Sequence, residues 1–380
     1  MSERKARVKV GVVGATGYTG AELVRLLSSH PRVELTMLVS RTESGKSLAE
    51  VLPHLGGIDL PPLSTLDMER LASECEVVFL AGETGFAMEH APVLLKTGVP
   101  EFAFPGYPAG SEKKILPSWS EKKILQVIDL SADFRLRDPA LFQEWYGMPH
   151  RAPELLREAL YGLPELTPPD AYRYARLIAN PGCYPTASAL ALAPLLSADL
   201  VDSECIVIDA KSGVSGAGRS RVSVEYLFTE LDENFKPYAV ERHRHTPEIE
   251  QTLSGIAHQT VRVRFTPHLV PMRRGILCTT YARLRQPVAI SDLHALYTTF
   301  YGDQPFVWVR PLGDFPATRD VYGSNRCDIG LTIDARTQMA VVISAIDNLV
   351  KGAAGQAIQN FNLLMGWEPT LGLPMAGIAP

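Results

Sequence analysis

The stretch Val8-Lys9-Val10-Gly11-Val12-Val13-Gly14-Ala15-Thr16-Gly17-Tyr18-Thr19-Gly20 decides the fold of the first half of the chain. It opens with a β-branched run typical of a buried strand, and residues 21–27 after it have helical periodicity. The glycines in between follow the spacing G-x-x-G-x-x-G. Glycine lets a backbone approach a pyrophosphate closely, and the helix N-terminus then stabilises the negative charge. The turn therefore predicts a dinucleotide site, with contacts from Gly14, Thr16, Gly17, Tyr18, Thr19 and Gly20.

A second strand is predicted over Val33–Val39 and ends at Ser40 and Arg41. Where such a fold binds NAD, a carboxylate at this position usually holds the ribose 2′-hydroxyl. Here a hydroxyl and a guanidinium stand instead, and both suit a 2′-phosphate. We therefore expect NADP as the cofactor, with Ser40 and Arg41 in contact with it. The alternative is that the two residues only solvate a loop.

Two further apolar runs, residues 76–82 and 126–130, continue the series of strands, with helical segments between them. This spacing predicts an α/β fold with a Rossmann-type, doubly wound parallel sheet. Residues 96–123 are rich in proline, glycine and lysine and are predicted to form a surface excursion. Residues 138–169 are predicted to form an irregular connection.

The second half of the chain has a different pattern. Short strands are predicted over residues 205–210, 261–265 and 276–282, and a helix capped by Ser291 over residues 291–301. A last strand, residues 339–344, leads into a helical run over residues 345–364. This pattern indicates a second, α+β domain with a mixed or antiparallel sheet. We expect an NADP-binding domain over residues 1–182, joined by the C-terminal helix in 345–380, and a catalytic, substrate and oligomerisation domain over 183–344.

The composition excludes several classes of function. The chain has 380 residues, a net charge of -5 and a sequence pI near 6.0, without the basic excess of a nucleic-acid or anionic-membrane binder. It has no apolar stretch long enough to cross a bilayer, and its N-terminus lacks the form of a signal peptide. The five cysteines are scattered without C-x-x-C spacing, which favours a reducing cytoplasm and neither disulfides nor a metal site.

Cys183 is the candidate nucleophile. It follows the tight turn Asn180-Pro181-Gly182 and precedes an alanine- and leucine-rich run over residues 187–196 that has helical character. A thiol at a helix N-terminus is close to unpaired N–H groups and the positive end of the helix dipole, which lower its pKa. The sequence therefore predicts an activated thiolate, and the alternative is a buried structural cysteine.

Six motifs in this order resemble those of the N-acetyl-gamma-glutamyl-phosphate reductase family, which is allied to aspartate-semialdehyde dehydrogenase. They are Gly14-Ala15-Thr16-Gly17-Tyr18-Thr19-Gly20, Asp129-Leu130-Ser131-Ala132-Asp133-Phe134-Arg135, Asn180-Pro181-Gly182-Cys183-Tyr184-Pro185-Thr186, Lys211-Ser212-Gly213-Val214-Ser215-Gly216-Ala217-Gly218-Arg219, His243-Arg244-His245-Thr246-Pro247-Glu248-Ile249 and Phe265-Thr266-Pro267-His268-Leu269-Val270-Pro271-Met272. The resemblance covers nearly the whole chain. Residues 81–85 and 100–120 depart from the family pattern.

The resemblance implies NADPH-dependent reduction of N-acetyl-L-glutamyl 5-phosphate to the semialdehyde, a step of arginine biosynthesis, through a thioester on Cys183. For acid/base chemistry it implies His245 or His243, of which we favour His245. Arg135 and Arg244 are candidates to hold the phosphate or carboxylate of the substrate, because a guanidinium grips such groups bidentately.

Three further residues are expected at the cofactor. Ser215 and Gly216 belong to a glycine-rich stretch that lies beside the nicotinamide in related enzymes, although the same pattern fits a plain flexible turn. Asn348, at the start of the predicted return helix, stands where the family places an amide contact to the nicotinamide carboxamide.

Two alternatives stay open. One is the same chemistry on another acyl phosphate, such as aspartyl phosphate or a carrier-linked aminoadipyl or glutamyl phosphate. The other is an NADP-binding sensor without catalysis, against which Cys183 and both histidines argue. The family also implies a homodimer or homotetramer formed through the second domain.

Overall fold

The computed structural model describes residues 7–97, 125–220 and 223–378. Nearly all of the predicted surface excursion, and the polar N-terminus through residue 6, lie outside the described residues. The described chain forms two seven-stranded sheets, one from its first half and one from its second.

The first sheet is parallel throughout and has the order β3-β2-β1-β4-β5-β7-β6. Its strands are β1 (Val8–Val13), β2 (Val33–Val39), β3 (Leu63–Ser64), β4 (Val77–Leu80), β5 (Gln126–Asp129), β6 (Leu160–Tyr161) and β7 (Leu177–Ala179). Strands β1 and β2 have the predicted bounds. The strand order reverses direction beside β1, which confirms the predicted doubly wound sheet and places a ligand crevice at the carboxyl end of that strand.

The helices of this half are α1 (Tyr18–Ser28), α2 (Leu48–Val51), α3 (Met68–Glu74), α4 (Phe86–Thr97), α5 (Pro139–Tyr146) and α6 (Pro169–Tyr172). The prediction of an irregular connection over residues 138–169 is wrong where α5 forms. Asp138 caps this helix, since its Oδ1 accepts from the N–H of Ala140 at 2.8 Å. Pro139 occupies the first helical position and Gly147, at φ 73°, ends the helix.

The second sheet is mixed and has the order β12-β13-β14-β11-β8-β10-β9. Its strands are β8 (Val201–Ser212), β9 (Lys236–Pro237), β10 (Val263–Leu269), β11 (Ile276–Leu284), β12 (Val307–Val309), β13 (Cys327–Asp334) and β14 (Met339–Ile346). Strand β10 is parallel to β8, whereas β11 is antiparallel to both β8 and β14. The mixed sheet was predicted, but β8 is longer and β10 begins two residues later than expected.

One face of the second sheet packs on helices, because its strands alternate. Ile206, Ile208 and Ala210 are buried in one core with Leu190, while Val207, between them, is exposed on the other face. The helices are α7 (Cys183–Ser197), α8 (Phe228–Leu231), α9 (Thr246–Ala257), α10 (Ile290–Phe300), α11 (Thr318–Val321) and α12 (Gly355–Leu364). Helix α7 contacts β11, β14 and α9.

Two predicted boundaries in this half are wrong. Helix α10 begins one residue before Ser291 and its N-cap is Ala289, so Ser291 lies inside the first turn and does not cap it. The predicted return helix begins later than residue 345, because β14 continues to Ile346 and a π-turn, Val350–Ala354, precedes α12. Asn348 therefore lies in the connection before the π-turn. Helix α12 packs on the first sheet through Ile358 and Phe361.

In the part of the chain that the structure describes, no helix combines the length and the apolar character needed to cross a membrane.

Candidate active site

Cys183 is the first residue of α7, as predicted, and Gly182 is the N-cap. The helix that follows is buried along almost its whole length, which fits its alanine and leucine content. Gly352 of the π-turn lies against the cysteine, because a Cβ built on Gly352 would come within 2.7 Å of the Cys183 Cβ. The thiol is thus held between the helix start and the π-turn.

The structure corrects the expectation that Cys183 is a ready thiolate. Burial raises the pKa of its thiol to about 11, and the nearby Arg135 guanidinium lowers it only in part. Removing a thiolate from water costs more free energy than the helix N-terminus and one guanidinium supply by stabilising its charge. A thiol in this position needs a neighbouring base to take its proton before it can act as a nucleophile.

His245 is placed to be that base. It is the N-cap residue of α9, and its Nε2 lies 2.7 Å from the position that a Cβ on Gly182 would occupy. Burial first, and then the charges around it, hold the pKa of His245 well below its usual value, so the ring is neutral near pH 7 and binds a proton less tightly than a free imidazole. Its Nδ1 is buried and has no hydrogen-bond partner among the described residues.

His243 lies next to His245. Its ring is surrounded by Tyr184, Tyr238 and Phe265, with centroid separations of 5.6, 5.5 and 5.2 Å. Its Nδ1 accepts a hydrogen bond from the N–H of His245 at 3.1 Å, which makes it a support for that residue. Burial lowers the pKa of His243 to about 4, with a further contribution from Arg244.

Arg135 is largely occupied in holding the cysteine turn. Its Nε donates to the Asn180 carbonyl at 2.8 Å and its Nη2 to the Leu130 carbonyl at 2.8 Å. Its Nη1 lies 2.9 Å from the Cβ position of Gly182, and so beside the site. Arg244, the other predicted anion contact, is exposed and lies 5.6 Å above the ring of Tyr146.

Glu248 is a site residue to which the sequence reasoning assigned no role. It is fully buried in α9, and its Oε1 accepts from the Tyr161 hydroxyl at 2.9 Å and the N–H of Gly182 at 2.8 Å. Its Oε2 lies 3.6 Å from the Arg135 Nη1. The signal was present in the motif from His243 to Ile249, where a carboxylate follows His245 by three residues, but only the fold shows what it contacts.

The glycine turn after β1 has the shape of a phosphate cradle. Gly14 has φ +85°, and a Cβ there would be 2.4 Å from the Ala81 carbonyl oxygen. A Cβ on Gly20 would be 2.1 Å from the Gly14 oxygen, so this glycine lets α1 pack onto the turn. Gly17 is the N-cap of α1, whose first N–H groups have no intrahelical acceptor. Tyr18 and Thr19 begin that helix.

Ser40 and Arg41, the two residues predicted to select NADP, follow the end of β2. The Ser40 hydroxyl is buried and lies 3.1 Å from the Thr16 hydroxyl, while Arg41 is exposed. The two hydroxyls therefore meet at the carboxyl ends of β1 and β2, and the exposed Arg41 follows Ser40 in the chain.

The structure also brings together the second group of predicted cofactor residues. Asn348 Nδ2 donates to the Ser215 hydroxyl at 2.9 Å, and Asn348 Oδ1 accepts from the N–H of Gly275 at 2.7 Å. The Cβ position of Gly216 is 3.9 Å from Asn348 Nδ2. From the same loop, Arg219 Nη1 donates to the Thr16 carbonyl at 2.9 Å. The second half of the chain thus reaches the glycine turn of the first.

Arg274 forms another link between the two sheets that the sequence did not indicate. Its Nη2 lies 3.1 Å from Glu22 Oε1 on α1, and its Nε lies 3.3 Å from Asp347 Oδ2. Burial raises the pKa of Glu22, but the hydrogen bond from Arg25 and the charge of Arg274 outweigh this and leave the pKa below its usual value. Arg274 therefore ties the helix of the phosphate cradle to the residue before Asn348.

Within the described ranges, no group of three or more histidine, cysteine, aspartate or glutamate side chains is arranged to hold a metal ion.

The fold and this site define an oxidoreductase of the semialdehyde dehydrogenase class. Residues 9–102 match the model for the semialdehyde dehydrogenase NAD binding domain, and residues 183–348 match that for the semialdehyde dehydrogenase dimerisation domain. N-acetyl-gamma-glutamyl-phosphate reductase from Symbiobacterium thermophilum is 50% identical over 97% of this chain and 98% of its own. That from Desulforamulus reducens is 49% identical over 98% of this chain and 100% of its own. The chain belongs to the N-acetyl-gamma-glutamyl-phosphate reductase family, as its motifs predicted.

Solved structures show the same fold at lower identity. Aspartate semialdehyde dehydrogenase II from Vibrio cholerae has a TM-score of 0.68 at 18% identity, covering 95% of this chain and 99% of its own. The aspartate semialdehyde dehydrogenase from Candida albicans, solved with NADP, has a TM-score of 0.65 at 17% identity and covers 95% of this chain and 99% of its own.

Proposed function

We propose that the protein reduces N-acetyl-L-glutamyl 5-phosphate to N-acetyl-L-glutamate 5-semialdehyde with NADPH, as a step of arginine biosynthesis. The observation that carries this proposal is that the side chains of His245 and Arg135 converge on Gly182. The His245 Nε2 and the Arg135 Nη1 both lie within 3 Å of the Cβ position of this glycine, directly before Cys183. A nucleophile, a neutral base and a cation are thereby adjacent, as acyl transfer from an acyl phosphate requires.

The first step follows from the protonation states of the Cys183 thiol, which carries its proton, and the His245 ring, which is neutral. His245 accepts the thiol proton as the Cys183 sulfur attacks the acyl carbon, and the carbon–oxygen bond to phosphate breaks. The products are a thioester on Cys183 and inorganic phosphate. Arg135 Nη1 and the exposed Arg244 are the cations available to the departing anion.

The second step reduces the thioester. When bound, NADPH supplies a hydride to the acyl carbon. The protonated His245 donates its proton to the carbonyl oxygen, and the resulting thiohemiacetal returns that proton to His245 as its carbon–sulfur bond breaks. The aldehyde leaves, His245 passes the proton to the Cys183 thiolate, and the departing phosphate takes up the one proton consumed from solution. Overall, acyl phosphate, NADPH and a proton give aldehyde, phosphate and NADP⁺.

The residues at the cradle fit a dinucleotide. Gly14 and Gly20 leave the backbone bare where side chains would clash, and the N-terminus of α1 suits a pyrophosphate. The preference for NADP over NAD is supported by Thr16, Ser40 and Arg41, which offer two hydroxyls and a guanidinium to a 2′-phosphate. Asn348 and Ser215 would hold the nicotinamide end, with Gly216 beside them.

We further infer two domains, residues 1–182 with 345–380 and residues 183–344, and a homodimer or homotetramer formed through the second. The second sheet supports this, since Val207 and Tyr281 lie on the face that the buried residues of β8 and β11 leave uncovered. Light scattering at working concentration checks the assembly, and a mass of 41.6 kDa, that of one chain, would refute it. The five cysteines are free, which supports action in the reducing cytoplasm.

The decisive assay runs the reaction in reverse. N-acetylglutamate semialdehyde, NADP⁺ and phosphate are supplied, and NADPH formation is followed by absorbance. Turnover that depends on phosphate and exceeds turnover with aspartate semialdehyde is expected. Equal or better turnover with aspartate semialdehyde would overturn the substrate assignment. NADP⁺ binding without any turnover would instead favour a non-catalytic sensor.

A further inference from the structure

The π-turn Val350–Ala354 has the widened hydrogen-bond pattern that its name implies. The N–H of Gly352 donates to the Asp347 carbonyl at 2.9 Å, and the N–H of Ala354 donates to the Leu349 carbonyl at 2.9 Å. Each bond spans five residues instead of four. Such turns are rare and often occur at functional sites, because they displace one residue from the regular helical position.

The displaced residues contact the cysteine turn at two points. Gly352 lies against Cys183, since a Cβ on Gly352 would approach the Cys183 Cβ to 2.7 Å. The Ala353 carbonyl accepts from Asn180 Nδ2 at 3.1 Å. The π-turn thus fixes both the start of the turn that carries the nucleophile and the side of the nucleophile itself. A regular α-turn would rotate these contacts away.

A buried cation holds the π-turn. The Lys351 side chain is fully buried, and its Nζ donates to Glu165 Oε1 at 2.6 Å and to Gln359 Oε1 at 2.8 Å. The Glu165 side chain is also fully buried, and its Oε1 accepts from Gln359 Nε2 at 2.9 Å. Asn325 Nδ2 completes the cluster by donating to Gln359 Oε1 at 3.0 Å.

This ion pair is a poor source of stability. Moving two charges out of water costs several kcal/mol, which their attraction often only balances, so an apolar or neutral pair of similar size can serve a core equally well. Lys351 is nevertheless placed on the turn whose Gly352 contacts Cys183. Its consequence is geometric, since the bonds from Lys351 to Glu165 and Gln359 tie the π-turn in its present position.

We propose that Lys351 is a positioning residue, which uses its buried bonds to Glu165 and Gln359 to keep Gly352 against Cys183 and so sets the direction of the thiol. The inference rests on the proposed role of Cys183 as the nucleophile. It predicts that losing the ion pair misplaces the thiol more than it disturbs the cofactor cradle, because the glycine turn after β1 is shaped by its own close contacts.

The test uses the double variant Lys351→Met with Glu165→Gln, since Lys351→Met alone would leave a buried carboxylate and could fail to fold. The amide at 165 can still bond to Gln359. We expect a melting temperature within about 4 °C of wild type and a KM for the cofactor that changes much less than kcat. We expect kcat to fall at least about tenfold, because an ångström of misplacement can cost about 10²-fold.

Alkylation supplies a readout that does not depend on the proposed substrate. The rate at which iodoacetamide modifies the Cys183 peptide, followed by mass spectrometry, should change by at least about threefold in the double variant, because the direction of the thiol sets its access. If wild type fails to reduce the acyl phosphate, the proposed function fails, yet the alkylation rates still test the position of the thiol.

Asp328→Asn is the matched control. Asp328 is likewise fully buried, and its side-chain hydrogen bonds among the described residues run to Arg310, at 3.0 Å, and to Arg326, and none runs to the π-turn. We expect it to lower the melting temperature and to leave kcat and Cys183 alkylation unchanged. The inference is overturned if the double variant keeps wild-type kcat and alkylation, if it does not fold, or if the control loses as much kcat.

Discussion

The N–H of Gly182 donates to the Oε1 of Glu248 at 2.8 Å, so helix α9 holds the turn that ends at Cys183. The same helix begins after His245, whose Nε2 lies over Gly182. The start of α9 therefore positions both the turn that carries Cys183 and the ring of His245.

Replacing Cys183 by serine should abolish turnover and leave NADP⁺ affinity nearly unchanged. A hydroxyl is far less acidic than a thiol and cannot form the thioester. Steady-state rates and fluorescence titration of the cofactor measure the two effects. The control is Cys205→Ser, at a half-buried strand position in β8, which should keep wild-type rates. Full activity of the Cys183 variant would end the covalent mechanism.

The pH dependence of Cys183 alkylation should show no plateau between pH 7 and 10. Burial raises the pKa of this thiol to about 11, and only the thiolate reacts, so the rate should rise about tenfold per pH unit across the range. Mass spectrometry of the Cys183 peptide gives the rate. A plateau reached below pH 9 would mean that the Cys183 thiol ionises at a much lower pH than its burial implies, and would contradict the prediction.

His245 should set the pH dependence of turnover, and His243 should act through it. His245→Asn is expected to lower kcat by about 10²- to 10⁴-fold, since the titrating ring is lost. His243→Asn should cost less, because this ring supports His245 through one hydrogen bond. If both variants keep wild-type rates and pH profiles, the base is elsewhere. His268, whose Nδ1 lies 3.1 Å from Asp209 Oδ1, is the next candidate.

Arg41→Ala should weaken NADPH much more than NADH, by about 1.5–3 kcal/mol if a charge-assisted contact to the 2′-phosphate is lost. Titrations with both cofactors measure the difference. Arg70→Ala removes another exposed arginine, which pairs with Glu74 on α3, and should affect neither cofactor. Equal losses for NADPH and NADH in the Arg41 variant would place Arg41 away from the phosphate.

Two glycines of the cradle should respond differently to alanine. Gly20→Ala puts a Cβ 2.1 Å from the Gly14 oxygen, so α1 must shift and the melting temperature should fall together with cofactor affinity. Gly17→Ala meets the same oxygen at 3.5 Å, an ordinary contact, and should fold normally while binding the cofactor less tightly. Calorimetry measures the melting temperature of each variant, and titration measures its affinity for the cofactor. Comparable melting temperatures for both variants would contradict the packing role of Gly20.

The sequence predicted most of the sheet that carries the cofactor cradle. Strands β1 and β2 have the expected bounds because a β-branched run between glycine or polar residues has few other solutions. Helix α5 was missed, since it is only eight residues long and its strongest signal is a capping Asp138 before Pro139. The division into domains at residue 182 remains a prediction.

By itself, the sequence determined the family, the parallel sheet and the position of Cys183 at a helix start, because local patterns and ordered motifs carry that information. Only the tertiary structure decided the state of the site. Burial, which no local pattern reports, raises the pKa of Cys183 and lowers that of His245. Contacts between distant segments likewise assigned Glu248 to the Gly182 turn and Lys351 to Glu165, since each pair is separated by many residues and meets only when the sheets and helices pack.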